Sequence, residues 1–273
     1  MTPLNCDIGN ANIYYETFGD GKPFVMLHGF SVDHRLMTGC MEPIFRKHKG
    51  FKRIYLDLPG MGKSDSPSWI SSTDHMLQAV IASIRRILPN QSFLLAGESY
   101  GGYLARGIVS RMNCQVDGLL LICPVVIAEK GQRDCPDDTI AYRDERFLSG
   151  LSPDEAKEFC EMGVIQNEYT FHRYKNEIAA GLNIANEPYL KKIQEKYGFS
   201  FDVDNPKYIS FGKPALMIAG RQDSCVGYRD LIKIIENYPK ASLAILNDAG
   251  HNVQIEQPEL FNSLVGKWLA QFE

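Results

Sequence analysis

Gly97-Glu98-Ser99-Tyr100-Gly101 sets a serine between two glycines, and the residues on either side indicate what that serine is placed to do. The apolar run "SFLLAG" leads in and the helical pattern "YLARGIVSRM" leads out, so the serine stands on a sharp turn from strand to helix. Such a turn brings backbone segments so close that side chains at Gly97 and Gly101 would clash, and its strain lifts the Ser99 hydroxyl clear of the sheet as a nucleophile. Serine is a weak nucleophile at its free pKa. It needs a general base, and that base needs an acid that holds it in one tautomer.

The base is expected late in the chain. His251 in "LNDAGHNVQIEQPELF" follows the last strand-like run, and a glycine-led loop there reaches over the carboxyl edge of a parallel sheet. His34, His48, His75 and His172 fall in helical or polar surroundings and read as surface residues, while His28 in "VMLHGFSVDH" reads as a buttress for its loop. Three carboxylates compete to orient His251. Asp248 is expected to turn back on its own backbone as an Asx turn, and Glu256, just ahead of Pro258, to cap a helix or face solvent. Asp223 in "PALMIAGRQDSCVG" stands at a strand tip and gives the chain order Ser, Asp, His, so Ser99, Asp223 and His251 form the expected catalytic set. Negative charge developing on a carbonyl oxygen would be met by two backbone amides. One is that of Tyr100, and the other is that of Phe30, which Gly29 allows close to Ser99.

These residues meet only if a sheet carries them to one edge. After residue 23, "PFVMLH", "RIYLDL", "SFLLAG", "GLLLIC", "PALMIAG" and "SLAILN" alternate with helical patterns, as in a mostly parallel sheet flanked by helices. The alternating "ANIYYETFG" suggests an antiparallel partner at the edge. Helices are expected over roughly Thr73 to Leu88, Gly102 to Met112, Tyr228 to Asn237 and Glu259 to Phe272. For about eighty residues after the sixth core strand the alternation stops, which sets a helical cap at 127–208 against a core of 1–126 and 209–273. Within the cap, Ser152 reads as an N-cap ahead of Pro153, and further helices cover Tyr169 to Leu182 and Glu187 to Tyr197. Its aromatic residues, Tyr142, Phe147, Phe159, Tyr169, Phe171, Tyr174 and Tyr189, either line a pocket or hold the cap together, and packing is the expected use of any one of them.

Composition removes several functions. With 273 residues, a net charge of -4 and its Lys and Arg dispersed, the chain has no basic footprint for nucleic acid or an anionic membrane. The longest apolar run, "LLLICPVVIA", is too short to span a bilayer and is broken by Pro124, and no leader pattern opens the sequence, so a cytoplasmic protein is expected. Seven cysteines without ligand spacing read as reduced thiols and imply no metal. "LDLPGMGKSD" ends like a phosphate-binding loop, but Asp57 stands where the first glycine must be and Pro59 removes an amide donor.

His28-Gly29-Phe30, Asp57-x-Pro59-Gly60-x-Gly62-x-Ser64, Gly97-Glu98-Ser99-Tyr100-Gly101-Gly102, Gly220-x-x-Asp223 and Gly250-His251 together resemble the α/β-hydrolase superfamily, in its capped, esterase-like group of serine hydrolases. The resemblance covers nearly the whole chain outside the cap. It implies that the Asp57 loop is a structural turn near the active-site rim, that no cofactor is required, and that a small-molecule ester or thioester is cleaved through an acyl-enzyme. Carbon-carbon bond hydrolysis of a diketone-like substrate and a small-molecule receptor with a retained triad are the alternatives. Relatives that open epoxides or displace halide carry aspartate at the elbow, where Ser99 stands here, and the H-G-G-G loop of many lipases is absent.

Overall fold

The computed structural model describes residues 2–205 and 211–273. Its eight-stranded sheet consists of β1 (Thr2–Asp7), β2 (Asn12–Phe18), β3 (Lys22–Leu27), β4 (Phe51–Leu56), β5 (Phe93–Glu98), β6 (Val116–Ile122), β7 (Ala215–Gly220) and β8 (Ala241–Leu246), in the order β1-β2-β4-β3-β5-β6-β7-β8. β2 runs antiparallel to both β1 and β4, as its alternating pattern suggested, and the remaining pairs are parallel. Helices cover both faces, so every residue of β5 and β7 is buried. That is why these strands read as unbroken apolar runs. Leu27 of β3 and Leu121 of β6 flank Gly97 of β5 in register, which brings the loops after these strands to one edge.

Four core helices lie close to their expected positions: α2 (Thr73–Ile87), α3 (Tyr100–Met112), α7 (Tyr228–Ile234) and α8 (Pro258–Leu269). α1 (His34–Phe45) is an addition to the sequence reading, because Gly39 and Pro43 weaken its pattern. Asp33 caps it by accepting from the Arg35 N–H at 2.9 Å. Between β6 and β7 lie α4 (Pro153–Cys160), α5 (Glu168–Tyr174), which continues through a π turn toward Leu182, and α6 (Glu187–Gln194). Ser152 caps α4 as expected, accepting from the Glu155 N–H. Phe147, Phe159, Phe171 and Tyr174 pack against one another in a small cluster of their own, while Tyr142 and Tyr169 are half exposed. The expected boundary between residues 208 and 209 lies outside the described residues. Among those described, no helix is long and apolar enough to cross a membrane.

The Asp57 loop is held together by its own carboxylate. Asp57 is fully buried, and its Oδ2 accepts from the Lys63 N–H at 2.9 Å, while Ser64 Oγ donates to its carbonyl at 2.7 Å. Gly62 adopts φ 56°, and a Cβ there would strike the same carboxylate. Lys63 reaches back to Tyr14, its Nζ donating to the phenol oxygen at 3.1 Å. His28 is buried beside this turn and accepts from the Leu58 N–H at Nε2, 2.9 Å away.

His34 corrects the sequence reading. It is buried, not on the surface, with its backbone N–H and its Nδ1–H both donating to Asp57 Oδ1 at 2.8 Å and Nε2 lying 3.2 Å from Glu16 Oε1. Burial alone would lower its pKa, but Asp57, Glu16 and Asp33 outweigh that and raise it above the usual imidazole value. The buried Asp57 needed donors, and α1 supplies them. His172 is exposed, as expected, while His48 and His75 are partly buried.

Candidate active site

At the end of β5 the chain turns so sharply that Ser99 takes φ 50° and ψ -114°, a backbone conformation costly for any residue with a side chain. A Cβ on Gly97 would strike the Gly101 backbone, and one on Gly101 would strike the Leu27 and His28 carbonyls. Only glycine fits at either place. The Ser99 N–H donates to the Ile122 carbonyl at 2.9 Å, and the Ser99 carbonyl accepts from Tyr103 and Val125, so the strained turn is pinned from both sides.

β7 and β8 deliver the partners. His251 Nε2 accepts from the Ser99 hydroxyl at 2.9 Å, and His251 Nδ1–H donates to Asp223 Oδ2 at 2.9 Å. Asp223 is fully buried, and its other oxygen accepts from the Cys225 and Val226 N–H groups at 2.8 and 3.1 Å. Burial would raise its pKa, but the His251 charge, the His251 hydrogen bond and those two amides hold it below the usual carboxylate range. For His251 burial favours the neutral ring, and the surrounding Cys225, Asp223 and Glu98 overcome it, raising the pKa well above its ordinary value. Tyr100 follows Ser99 directly and Phe30 lines the same cavity, and among the described residues neither backbone N–H is used in a loop, turn or cap hydrogen bond.

The other two carboxylates near His251 depart from expectation. Asp248 is exposed and forms no Asx turn; its Oδ1 accepts from the Asn247 side-chain amide at 2.9 Å. Glu256 is buried, not a surface or capping residue. Its Oε2 accepts from the Gly250 N–H at 2.6 Å and its Oε1 from the Val164 and Ile165 N–H groups at 2.7 and 3.3 Å. It therefore ties the loop that carries His251 to the helical insertion.

Glu98 was part of the elbow motif without a role. Its buried carboxylate lies 3.5 Å from His251 Nε2, and burial pushes its pKa up to about 7 despite the opposing His251 charge. Only its place next to the nucleophile could have drawn attention to it.

Ser99 and His251 open into a cavity of about 450 Å³. Its apolar wall comes from Val32 and Leu36 of the core and from Ile178, Ala179 and Leu182 of the insertion. Of the seven insertion aromatics singled out in the sequence, Tyr174 lines it. Two groups bring three potential ligand atoms within 4.8 Å, Cys123 with Asp223 and His251, and Asp33 with His34 and Asp57. Their carboxylates are already engaged in hydrogen bonds, Asp223 with His251, Asp57 with His34, and Asp33 with Arg35 from outside its group.

The sequence profile of the alpha/beta hydrolase fold family matches residues 22–258. The chain belongs to the α/β-hydrolase family. The structure of an alpha/beta superfamily hydrolase from Oenococcus oeni PSU-1 is 32% identical, with a TM-score of 0.87 over 100% of this chain and 98% of that one. The AB hydrolase superfamily protein YisY of Bacillus subtilis (strain 168) is 23% identical over 280 residues, covering 95% of this chain and 96% of the relative. A pimeloyl-[acyl-carrier protein] methyl ester esterase of Legionella pneumophila (strain Corby) is likewise 23% identical, over 94% of this chain and 99% of its own length. An esterase from Exiguobacterium antarcticum shares the fold, with a TM-score of 0.73 over 95% of this chain and 96% of that one at 19% identity.

Proposed function

We propose that this hydrolase cleaves small-molecule esters or thioesters through an acyl-enzyme on Ser99, with His251 as general base and Asp223 as the acid that orients it. The observation that carries the reading is the unbroken hydrogen-bond chain from Asp223 through His251 to Ser99 on the floor of the cavity. In the first step Ser99 Oγ attacks the carbonyl carbon as its proton passes to His251 Nε2, and the N–H groups of Phe30 and Tyr100 receive the developing oxyanion. Collapse expels the alcohol or thiol, which takes the proton from His251. A water activated by the same imidazole then attacks the acyl-enzyme, and Ser99 is regenerated. The helical insertion serves as a cap, because its side chains complete the wall that faces the nucleophile. Ester hydrolysis is also the activity named for the Legionella relative, which aligns over nearly its whole length.

A fluorophosphonate is expected to label the protein at one equivalent, with the label on Ser99, and short p-nitrophenyl esters are expected to turn over continuously. Intact-mass spectrometry that finds the label retained in Ser99→Ala would remove Ser99 from its role. Binding of esters without steady-state release would point to a receptor, and turnover of diketones in place of esters to carbon-carbon cleavage.

Glu98 gives a test by pH. The neutral imidazole is the base, so activity rises as pH climbs through the His251 pKa, and a carboxylate 3.5 Å away favours the imidazolium and moves that limb upward. Glu98→Gln is therefore expected to shift the acid limb of kcat/KM to lower pH. A limb that stays in place would show that the Glu98 charge does not act on His251.

A further inference from the structure

Arg133 lines the same cavity as Ser99 and His251, and its surroundings are unusual for an arginine. Three of its N–H groups are spent on backbone carbonyls: Nε donates to Ile127 at 2.9 Å, Nη1 to Cys225 at 3.0 Å and Nη2 to Ala128 at 3.1 Å. These contacts fix the guanidinium in one orientation between the start of the insertion and the loop that carries Asp223. Arginine has five N–H donors, so one on each terminal nitrogen is left over. Among the described residues, no carboxylate lies within ion-pair distance of it; the neighbouring Asp134 is committed to Arg229 and Lys233.

Tyr197 lines the same cavity. Its ring packs on the rings of Phe30 and Tyr100, with centroids 5.6 and 5.0 Å away, the two residues assigned above to receive the oxyanion. Its hydroxyl has no hydrogen-bond partner among the described residues. Burial keeps the phenol protonated, against the opposing influence of the Arg133 charge, so the cavity holds a neutral donor as well as a cation.

We propose that Arg133 and Tyr197 form a subsite for an anionic group, so that the preferred substrate is an ester or thioester that also carries a carboxylate close to the scissile carbonyl. This rests on the hydrolase reading given above and names its substrate class. A carboxylate offers a planar pair of acceptors that matches the two remaining guanidinium N–H groups, and the phenol supplies a third donor. Glu158, Glu161 and Glu187 also line the cavity, but they are exposed to solvent, where water and salt weaken their repulsion. Glu98, the acidic residue buried at the floor, is held up to about 7 and so carries only part of its charge near neutral pH. The apolar wall from Val32, Leu36, Ile178 and Leu182 accommodates the rest of the substrate.

The test compares matched esters on the intact protein. The p-nitrophenyl monoester of glutaric acid, with its carboxylate on the acyl side, is set against p-nitrophenyl butyrate, and acetoxyacetate, with its carboxylate on the alcohol side, against ethyl acetate. The expected result is a kcat/KM preference of about tenfold or more for the anionic member of at least one pair, the size of a charge-assisted hydrogen bond. In Arg133→Met that ratio should fall to near one, with an intermediate ratio in Tyr197→Phe. Equal rates within both pairs for the wild-type protein would overturn the proposal, as would a preference that persists in Arg133→Met. Should Arg133→Met fail to fold, Arg133→Lys replaces it, keeping the charge without the planar fork, and it should lose most of the preference. The subsite alone fails if neutral esters turn over and anionic ones are not preferred. The hydrolase reading fails if no ester turns over and a fluorophosphonate leaves Ser99 unlabelled.

Discussion

Asp223→Asn should lower kcat for a short ester by 10²- to 10⁴-fold. The buried carboxylate has both oxygens committed, Oδ2 to His251 Nδ1–H and Oδ1 to the amides of Cys225 and Val226. Asparagine fits the space, but it has one oxygen and one amide nitrogen. Its oxygen must face the two backbone N–H groups, because turning the side chain over would set three donors against one another. The amide NH2 then faces His251, where Nδ1 can only accept. That selects the tautomer protonated at Nε2, and Nε2 can no longer take the proton from Ser99. Asp248→Asn provides the contrast, since that carboxylate is exposed and, among the described residues, hydrogen-bonds only to Asn247, and less than about tenfold is expected there. Steady-state kcat at saturating ester decides between the two carboxylates. A greater loss at Asp248 than at Asp223 would reverse the assignment.

What the sequence disclosed follows from how far each feature reaches along the chain. The elbow is local, because Gly97 and Gly101 are glycines for a steric reason confined to a single turn and its neighbours. The strands were legible because a sheet covered on both faces leaves no polar side to interrupt its apolar runs. His34 was misread because its partners, Glu16 and Asp57, come from β2 and from the loop after β4, and nothing in "VDHRLM" refers to either. Glu256 was misread for a similar reason. Its position before Pro258 suggests a helix cap, whereas two of its three amide donors come from the insertion, about ninety residues earlier. Arg133 and Tyr197 lie near opposite ends of that insertion and come to one cavity only when it folds back over the sheet. Strand runs and tight turns are written in neighbouring residues, while a cavity wall assembled from distant loops is not.

Glu256→Gln is where the structure changes the expected outcome most. Read as a cap or surface residue, Glu256 would tolerate glutamine with less than a tenfold loss. Its carboxylate, however, is buried and meets N–H groups on both oxygens, Gly250 on one side and Val164 with Ile165 on the other. Glutamine can accept on only one side, so its NH2 must oppose either Gly250 or the Val164 and Ile165 N–H groups, and a buried donor is left unpaired at a cost of about 1–3 kcal/mol. In a chain of this size that corresponds to a fall in Tm of roughly 2–12 °C. The rate suffers separately, because Gly250 precedes His251 directly and a shift of its peptide moves the imidazole away from the Ser99 hydroxyl; misplacement of about 1 Å can cost 10²-fold. Glu256→Gln is therefore expected to lower kcat by roughly 10- to 100-fold while KM changes less, with the loss accompanied by the lower Tm. Asp223→Asn should show the larger kcat loss of the two, since it alters the imidazole's protonation and not only its position. A Glu256→Gln enzyme with wild-type kcat and Tm would show that these three amides do not hold the His251 loop in place.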